Sequence, residues 1–246
     1  MAKYSIFVPF YNEEKILEKH TLRIYNYLKS QDYDFDIYLV NDSSKDNSEA
    51  VAQKLRKKHS KIHVLSYTNG PSRRENLFWS FPKSKSEIVA FTDLDLATNE
   101  KNFSKLFTEL EKNNADICTA SRFEKGAKIS RSLFRRMISL SYRTTIQIMF
   151  GCPVRDFNCG FKAFKRESVL KLLKECGYDH SLKRGWFFDA EIMIRANKKG
   201  MKIVSFPVEW NSGKQSSFKF SREAKLIPYM LKLWLNLKKN KPSTNP

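Results

Sequence analysis

Ile88-Val89-Ala90-Phe91-Thr92-Asp93-Leu94-Asp95-Leu96-Ala97-Thr98 carries an apolar, β-branched run directly into two carboxylates set one residue apart. The run has the composition of a buried strand, so both acids fall at its carboxyl end. In open α/β sheets, ligands bind in the crevice beyond the carboxyl ends of the strands. Paired oxygen ligands there suit Mg²⁺ or Mn²⁺, which take one or two carboxylates and complete their shell with phosphate oxygens and water. An Asp-x-Asp pair also occurs in solvated turns, so its meaning depends on the segments around it.

Upstream, Lys3 to Pro9 is rich in β-branched and aromatic residues and closes on a proline, which predicts a first strand. Asn12 is placed to cap the helix that follows, with Glu13 and Glu14 at its positive end and Ile16, Leu17, His20, Ile24 and Tyr27 at helical spacing. Phe35 to Val40 predicts a second strand, followed by the polar run Asn41 to Ser48 and a helix bearing Ala50, Val51 and Leu55. Ile62 to Ser66 is a third strand and Ile88 to Thr92 a fourth. Repeated strand, polar loop and helix predict an α/β, doubly wound, mainly parallel sheet. Ordinary capping accounts for each polar loop singly, but successive strand ends bring carboxylates and amides to one rim. There Asp42 could accept from a nucleobase N–H, and Arg73 and Arg74 could clamp phosphates or form a solvated basic turn.

Composition narrows the partners. The 246 residues suffice for one large domain, here 1–211, with a basic amphipathic extension at 212–246. A formal charge of +19 calls for an anionic partner, whether nucleic acid, acidic lipid or a phosphorylated substrate. The four cysteines and four histidines lack zinc-site spacing. No run approaches the ~20 apolar residues of a membrane span, and no signal peptide is read at Met1-Ala2-Lys3. The expected location is cytoplasmic, peripheral on the cytoplasmic face of a membrane. A basic nucleic-acid-binding protein is the non-enzyme alternative; no nucleic-acid recognition motif is found, and none is expected as partner.

Val8-Pro9-Phe10-Tyr11-Asn12-Glu13-Glu14, Val40-Asn41-Asp42-Ser43-Ser44-Lys45-Asp46 and Asp93-Leu94-Asp95, at these intervals, resemble glycosyltransferase family 2, whose fold is GT-A. Asp156-Phe157-Asn158-Cys159-Gly160-Phe161-Lys162, Trp186 to Glu191 and Phe206 to Trp210 resemble its polyprenyl-phosphate sugar synthases, most closely the dolichyl-phosphate β-glucosyltransferase branch. Asn41 stands where the family commonly has an Asp, and Pro71 to Arg74 lacks its Gly-Lys-Gly run, which leaves the donor's base and sugar open. The resemblance implies an inverting, metal-dependent transfer from a nucleotide sugar (UDP-glucose, UDP-N-acetylglucosamine or GDP-mannose) to a polyprenyl (dolichyl) phosphate, or to a lipid-linked glycan. It implies Asp95 and Asp93 for Mg²⁺ or Mn²⁺, and Pro9, Tyr11, Asn12, Glu13, Asp42, Arg73, Arg74, Asp93 and Leu94 for the donor. Asp156 and Asp189 are expected to face the acceptor, and Arg122, Arg131, Lys214 and Lys219 to hold its phosphate. Arg131 to Phe150 and Leu226 to Leu237 mix apolar and basic residues as interfacial helices do, or as core helices with a basic outer face do.

Overall fold

In the computed structural model, residues 2–130, 133–181, 184–211 and 226–239 are described. A seven-stranded sheet carries the chain, in the order β3-β2-β1-β4-β7-β5-β8. Its strands are β1 (Tyr4–Phe10), β2 (Phe35–Asp42), β3 (Ile62–Tyr67), β4 (Ile88–Thr92), β5 (Ile117–Ser121), β7 (Phe161–Lys165) and β8 (Ile203–Pro207). Short β6 (Lys128–Ser130) and β9 (Glu209–Asn211) pair separately. The expected strands form, and β2 continues through Asn41 and Asp42, placing both at the strand's end rather than in the loop.

All neighbours in the large sheet run parallel except β7, which lies antiparallel between β4 and β5. The carboxyl ends of β1, β2, β4 and β5 therefore share one edge, and the loop leading into β7 arrives at that same edge.

Alternation along the strands builds two cores. Ile6, Val8, Leu39 and Ala90 point to one face, where α1 (Leu17–Ser30), α2 (Ser48–Lys58) and α4 (Asn102–Lys112) cover them with Leu17, Ile24, Leu55, Phe103 and Phe107. Phe7, Val40, Phe91 and Phe164 point to the other, against α3 (Glu75–Phe78), α5 (Leu133–Phe150), α6 (Arg166–Cys176) and α7 (Phe187–Lys198). This is why the strands read as continuous apolar runs: a sheet covered on both sides needs apolar residues at successive positions.

The last described helix, α8 (Ile227–Lys239), joins the second core through Met230 and Leu233, with Leu226 just before it. The extension expected after residue 211 thus shares a core with the preceding sheet. No described helix is long and apolar enough to cross a membrane.

Candidate active site

The rim is set first by backbone. The Asp93 N–H donates to the Gly160 carbonyl oxygen at 2.9 Å. A Cβ added to Gly160 would run into the Asp93 carboxylate, so the approach of this loop to β4 requires glycine. Gly160→Ala is expected to lower transfer at least tenfold, because displacing a reacting-site group by ~1 Å costs up to about a hundredfold. Steady-state kinetics that match the unmodified protein would refute the requirement.

Beyond Asp93 the chain folds back sharply. Leu96 has φ 51°, and Asp95 Oδ1 accepts the Ala97 N–H at 3.0 Å. His20, on α1, donates from Nδ1 to the Leu94 carbonyl oxygen at 2.8 Å. Asn12, Ser43 and Arg73 also take positive φ. Such conformations cost a non-glycine residue about 1–3 kcal/mol and persist where surrounding contacts impose them.

Asn12 differs from expectation. α1 starts at Leu17 with Ile16 at its N-cap, so Asn12 does not cap it. Its Oδ1 instead accepts the Lys45 N–H at 2.7 Å and its own N–H donates to Ser44 Oγ at 3.0 Å, stitching the loop after β1 to that after β2. Pro9 is half-buried and Tyr11 exposed on the same edge.

Asp42 is also corrected. Its Oδ2 accepts the N–H groups of Ser72 and Arg73, both at 2.8 Å, while Oδ1 accepts Ser72 Oγ at 2.8 Å and Asn76 Nδ2 at 2.7 Å. A carboxylate has about four acceptor sites, so Asp42 organises the 70–76 loop and is not free for a base.

Arg74 lies buried, not extended toward phosphates. Its Nε donates to Asp189 Oδ2 at 2.7 Å and its Nη1 to Asp93 Oδ1 at 3.0 Å. The guanidinium lies over Phe91 and Trp186, 5.0 and 4.5 Å from the ring centres. Asp189 is 1% exposed and also meets Lys162 Nζ at 3.2 Å. Contrary to expectation, then, Asp189 faces two cations in the interior rather than an acceptor pocket.

This arrangement decides the electrostatics of the rim. Two cations, Arg74 and Lys162, stand against two acids, Asp93 and Asp189, and the acids left over are Asp95 and Glu13. Desolvation by the surrounding rim raises the Asp95 pKa although the residue is exposed at its mouth, and the charge of Asp93 adds to the rise. Burial likewise raises Glu13, with Asp95 and Asp46 adding to it. Unbalanced negative charge of this kind fits a divalent cation. Among the described residues no three His, Cys, Asp or Glu side chains enclose an ion. An open pair, Asp95 and Asp93, fits Mg²⁺ or Mn²⁺ shared with substrate phosphates rather than an all-protein cage.

Next to the rim, Arg122 follows β5. Asp156 accepts from it three times: from the backbone N–H at 2.9 Å, from Nε at 2.8 Å and from Nη2 at 2.8 Å. Burial works to raise the Asp156 pKa, but the charge and hydrogen bonds of Arg122 outweigh it and hold the carboxyl below the usual range. At 2% exposure Asp156 does not face an acceptor as expected; it orients Arg122. Arg122 lines a cavity of about 300 Å³ with Arg136, Leu140 and Arg143 of α5. Arg143 Nε is buried there with no hydrogen-bond partner among the described residues. Trp210 ties cavity to rim: its ring lies 5.5 Å below the Arg122 guanidinium, it bridges Thr98, and the following Asn211 N–H donates to the Ala97 carbonyl oxygen at 3.0 Å. Arg131, Lys214 and Lys219 lie outside the described residues.

The sequence model for "Glycosyl transferase family 2" matches residues 5–173, more than half of the chain. The chain is a member of glycosyltransferase family 2. A dolichyl-phosphate beta-glucosyltransferase of Trichomonas vaginalis is 32% identical over 238 residues, spanning 93% of this chain and 72% of the relative. The human dolichyl-phosphate beta-glucosyltransferase is 26% identical over 250 residues, 96% and 72% of the two chains. Among solved structures, glucosyl-3-phosphoglycerate synthase from Mycobacterium tuberculosis, with Mn²⁺, uridine diphosphate and phosphoglyceric acid, superposes with a TM-score of 0.65 at 17% identity, covering 99% of this chain and 80% of that one. A mannosyltransferase from Pyrobaculum calidifontis with GDP-mannose and Mn²⁺ gives 0.56 at 17% identity, covering 100% and 66%. The glycosyltransferase family and the GT-A fold inferred from the motifs are thereby shown.

Two residues that organise this family 2 site were given no site role from the sequence: His20, which holds the Leu94 carbonyl, and Lys162, which meets Asp189. Lys162 did leave a signal, a charge flanked by Phe161, Ala163 and Phe164 inside a strand whose other charge, Lys165, stands at its end.

Proposed function

We propose that the protein transfers a sugar, with inversion, from a nucleotide-sugar donor of the UDP-glucose or UDP-N-acetylglucosamine type to a polyprenyl (dolichyl) phosphate, working on the cytoplasmic face of a membrane. The observation that carries the reading is the adjacency of two opposite fields. An acidic rim at Asp93, Asp95 and Glu13 suits a metal–diphosphate, and an arginine-lined cavity at Arg122, Arg136 and Arg143 suits a phosphate head. The names of the eukaryotic relatives favour that acceptor, and the uridine diphosphate and Mn²⁺ of the mycobacterial structure favour that donor and metal.

In this mechanism an acceptor phosphate oxygen attacks the anomeric carbon from the face opposite the diphosphate. The new C–O bond forms as the bond to the donor's β-phosphate breaks, and the nucleoside diphosphate leaves with the electron pair. A bound Mg²⁺ or Mn²⁺ would be held by Asp95 and Asp93 and would stabilise charge growing on the diphosphate. Arg74 fixes the orientation of Asp93, and Asp156 that of Arg122. A phosphate monoester is largely ionised near neutral pH, its second pKa being about 6, so the nucleophile needs no strong base. Cations that hold two anions together do the larger share of the work, through effective molarity.

Access to the lipid is supported by surface side chains. On α5, Leu140 of the arginine cavity is exposed, as are Met137 and Ile148 on the same helix. On α8, Ile227, Leu231 and Leu235 form an exposed stripe at four-residue spacing, accompanied by Lys232, Lys238 and Lys239. All four cysteines are free thiols, in keeping with a reducing compartment. Each lysine near an anionic leaflet contributes about 1 kcal/mol, and each buried leucine about 1.5–3 kcal/mol. Leu231→Glu with Leu235→Glu should therefore weaken co-sedimentation with phosphatidylserine-containing vesicles more than about tenfold, leaving the core residues Met230 and Leu233 in place. Equal partitioning of both proteins would dispose of this docking face.

The function itself is tested by incubating the protein with radiolabelled nucleotide sugars, polyprenyl phosphate and Mg²⁺ or Mn²⁺. Label extracted into the lipid phase with a UDP-sugar is the expected result. Absence of lipid-bound label with every donor would refute the reading.

A further inference from the structure

Arg74 is held from a second direction. Its neighbour Glu75 is completely buried, and both carboxylate oxygens accept from Arg184: Nε to Oε1 at 2.6 Å and Nη2 to Oε2 at 2.7 Å. Arg184, also fully buried, lies flat on Phe188 with its guanidinium carbon 3.5 Å from the ring centre, and its Nη1 reaches Glu191 Oε2 at 3.3 Å. Glu191 collects two further donors, Arg195 Nε at 2.8 Å and the Tyr229 hydroxyl at 2.7 Å. Tyr229 belongs to α8, the helix with the exposed apolar stripe. The first turns of α7 serve both systems, with Asp189 holding Arg74 and Glu191 holding Arg184.

A cavity of about 980 Å³ is lined by Pro71, Ser72 and Arg73 together with Leu226, Tyr229 and Leu233 of the α8 region. The hydrogen-bonded series Tyr229, Glu191, Arg184, Glu75 reaches the backbone of Arg74 around that space. Every member but Tyr229 is a buried charge. Glu75, Arg184 and Glu191 are each fully buried, so when one donor is lost the remaining charged groups shift to satisfy one another.

We infer that Tyr229 and Glu191 are positioning residues for sugar transfer: through Arg184 and Glu75 they set Arg74 against Asp93, so the seating of α8 governs how tightly the rim holds the donor nucleotide. This rests on the transferase reading above. Removing the Tyr229 hydroxyl leaves Glu191 Oε2 with Arg184 alone, drawing Arg184 from Glu75 and slackening the Arg74 anchor. Partners that orient metal ligands cost about 10–100-fold in affinity when removed, and Tyr229 acts through three intermediates, so a smaller effect follows.

The experiment is calorimetric titration of the full chain with UDP and with GDP, each in Mn²⁺, for the unmodified protein, Tyr229→Phe and Glu191→Gln, with transfer kinetics alongside. Tyr229→Phe should bind the preferred nucleotide about threefold to tenfold more weakly, raising donor KM by the same factor, while acceptor KM stays fixed and kcat changes less than about twofold. Glu191→Gln should shift nucleotide affinity in the same direction. If the unmodified protein binds a nucleotide and Tyr229→Phe binds it equally well, the positioning role falls while the transferase reading stands, even if Tyr229→Phe melts earlier. If the unmodified protein binds neither nucleotide, both fall together.

Discussion

Asp95→Asn is expected to lower kcat for sugar transfer by about a hundredfold to a thousandfold while leaving the fold intact. The amide keeps an oxygen for the Ala97 N–H, so the turn at Leu96 survives. What disappears is one of the two charges left uncompensated at the rim after Arg74 and Lys162 have matched Asp93 and Asp189. A cation held by Asp95 would stabilise charge developing on the leaving oxygen, and a preorganised contact of that kind is worth about 2.7–4 kcal/mol, which sets the size of the loss. Label transfer at saturating donor and acceptor measures it, with circular dichroism to report the fold. Mn²⁺ stimulation should be lost in parallel. Transfer at the unmodified rate would remove Asp95 from the chemistry.

Arg184→Met carries the largest expected change in stability. It strips the cationic partner from the fully buried Glu75 and one donor from the equally buried Glu191, which keeps Arg195 and Tyr229. Breaking a buried pair from one side costs about 3–5 kcal/mol, against a total of about 5–15 kcal/mol for an ordinary domain. Urea unfolding should show a midpoint displaced to match.

The pH dependence has a definite sign. Burial already holds Glu75 above the ordinary carboxylate range, with Arg184 opposing the rise; without Arg184 the rise is larger. A carboxyl whose folded pKa is raised favours folding below its unfolded value of about 4.3 and loses that contribution as pH climbs through the folded value. The deficit of Arg184→Met should accordingly be smaller at about pH 5 than at about pH 8. A deficit that is equal at both would show that Glu75 is not the source.

Local chemistry made the left half of the sheet legible. Strands β1 to β4 are apolar runs bounded by polar loops, and the acids at their ends sit where strand-end geometry puts them. Identity of neighbours was harder to read. Asp42, Asp156 and Asp189 are recognisable as site-forming acids, yet the protein donors each accepts from are not, because those donors come from segments distant in sequence: Ser72 for Asp42, Arg122 for Asp156, Arg74 for Asp189. Residue type and spacing report that an acid stands at a rim; which cation reaches it is decided by tertiary packing. Asn12 failed for the same reason in miniature, since Lys45, not the adjoining helix, supplies its donor.

Strand β7 has a consequence for how the molecule is made. Asp93 and Asp95 emerge early in synthesis, but β4 waits for an antiparallel neighbour that begins only at Phe161, and β5 touches no other strand of the sheet than β7 and the still later β8. Because Gly160 supplies the carbonyl that receives the Asp93 amide, the nascent polypeptide holds both acids long before it can hold them in place. Assembly of the rim is therefore a late, non-local event, and such closures are slow relative to helix formation. A polypeptide halted on the ribosome short of β7 would display an open sheet edge and no competent centre.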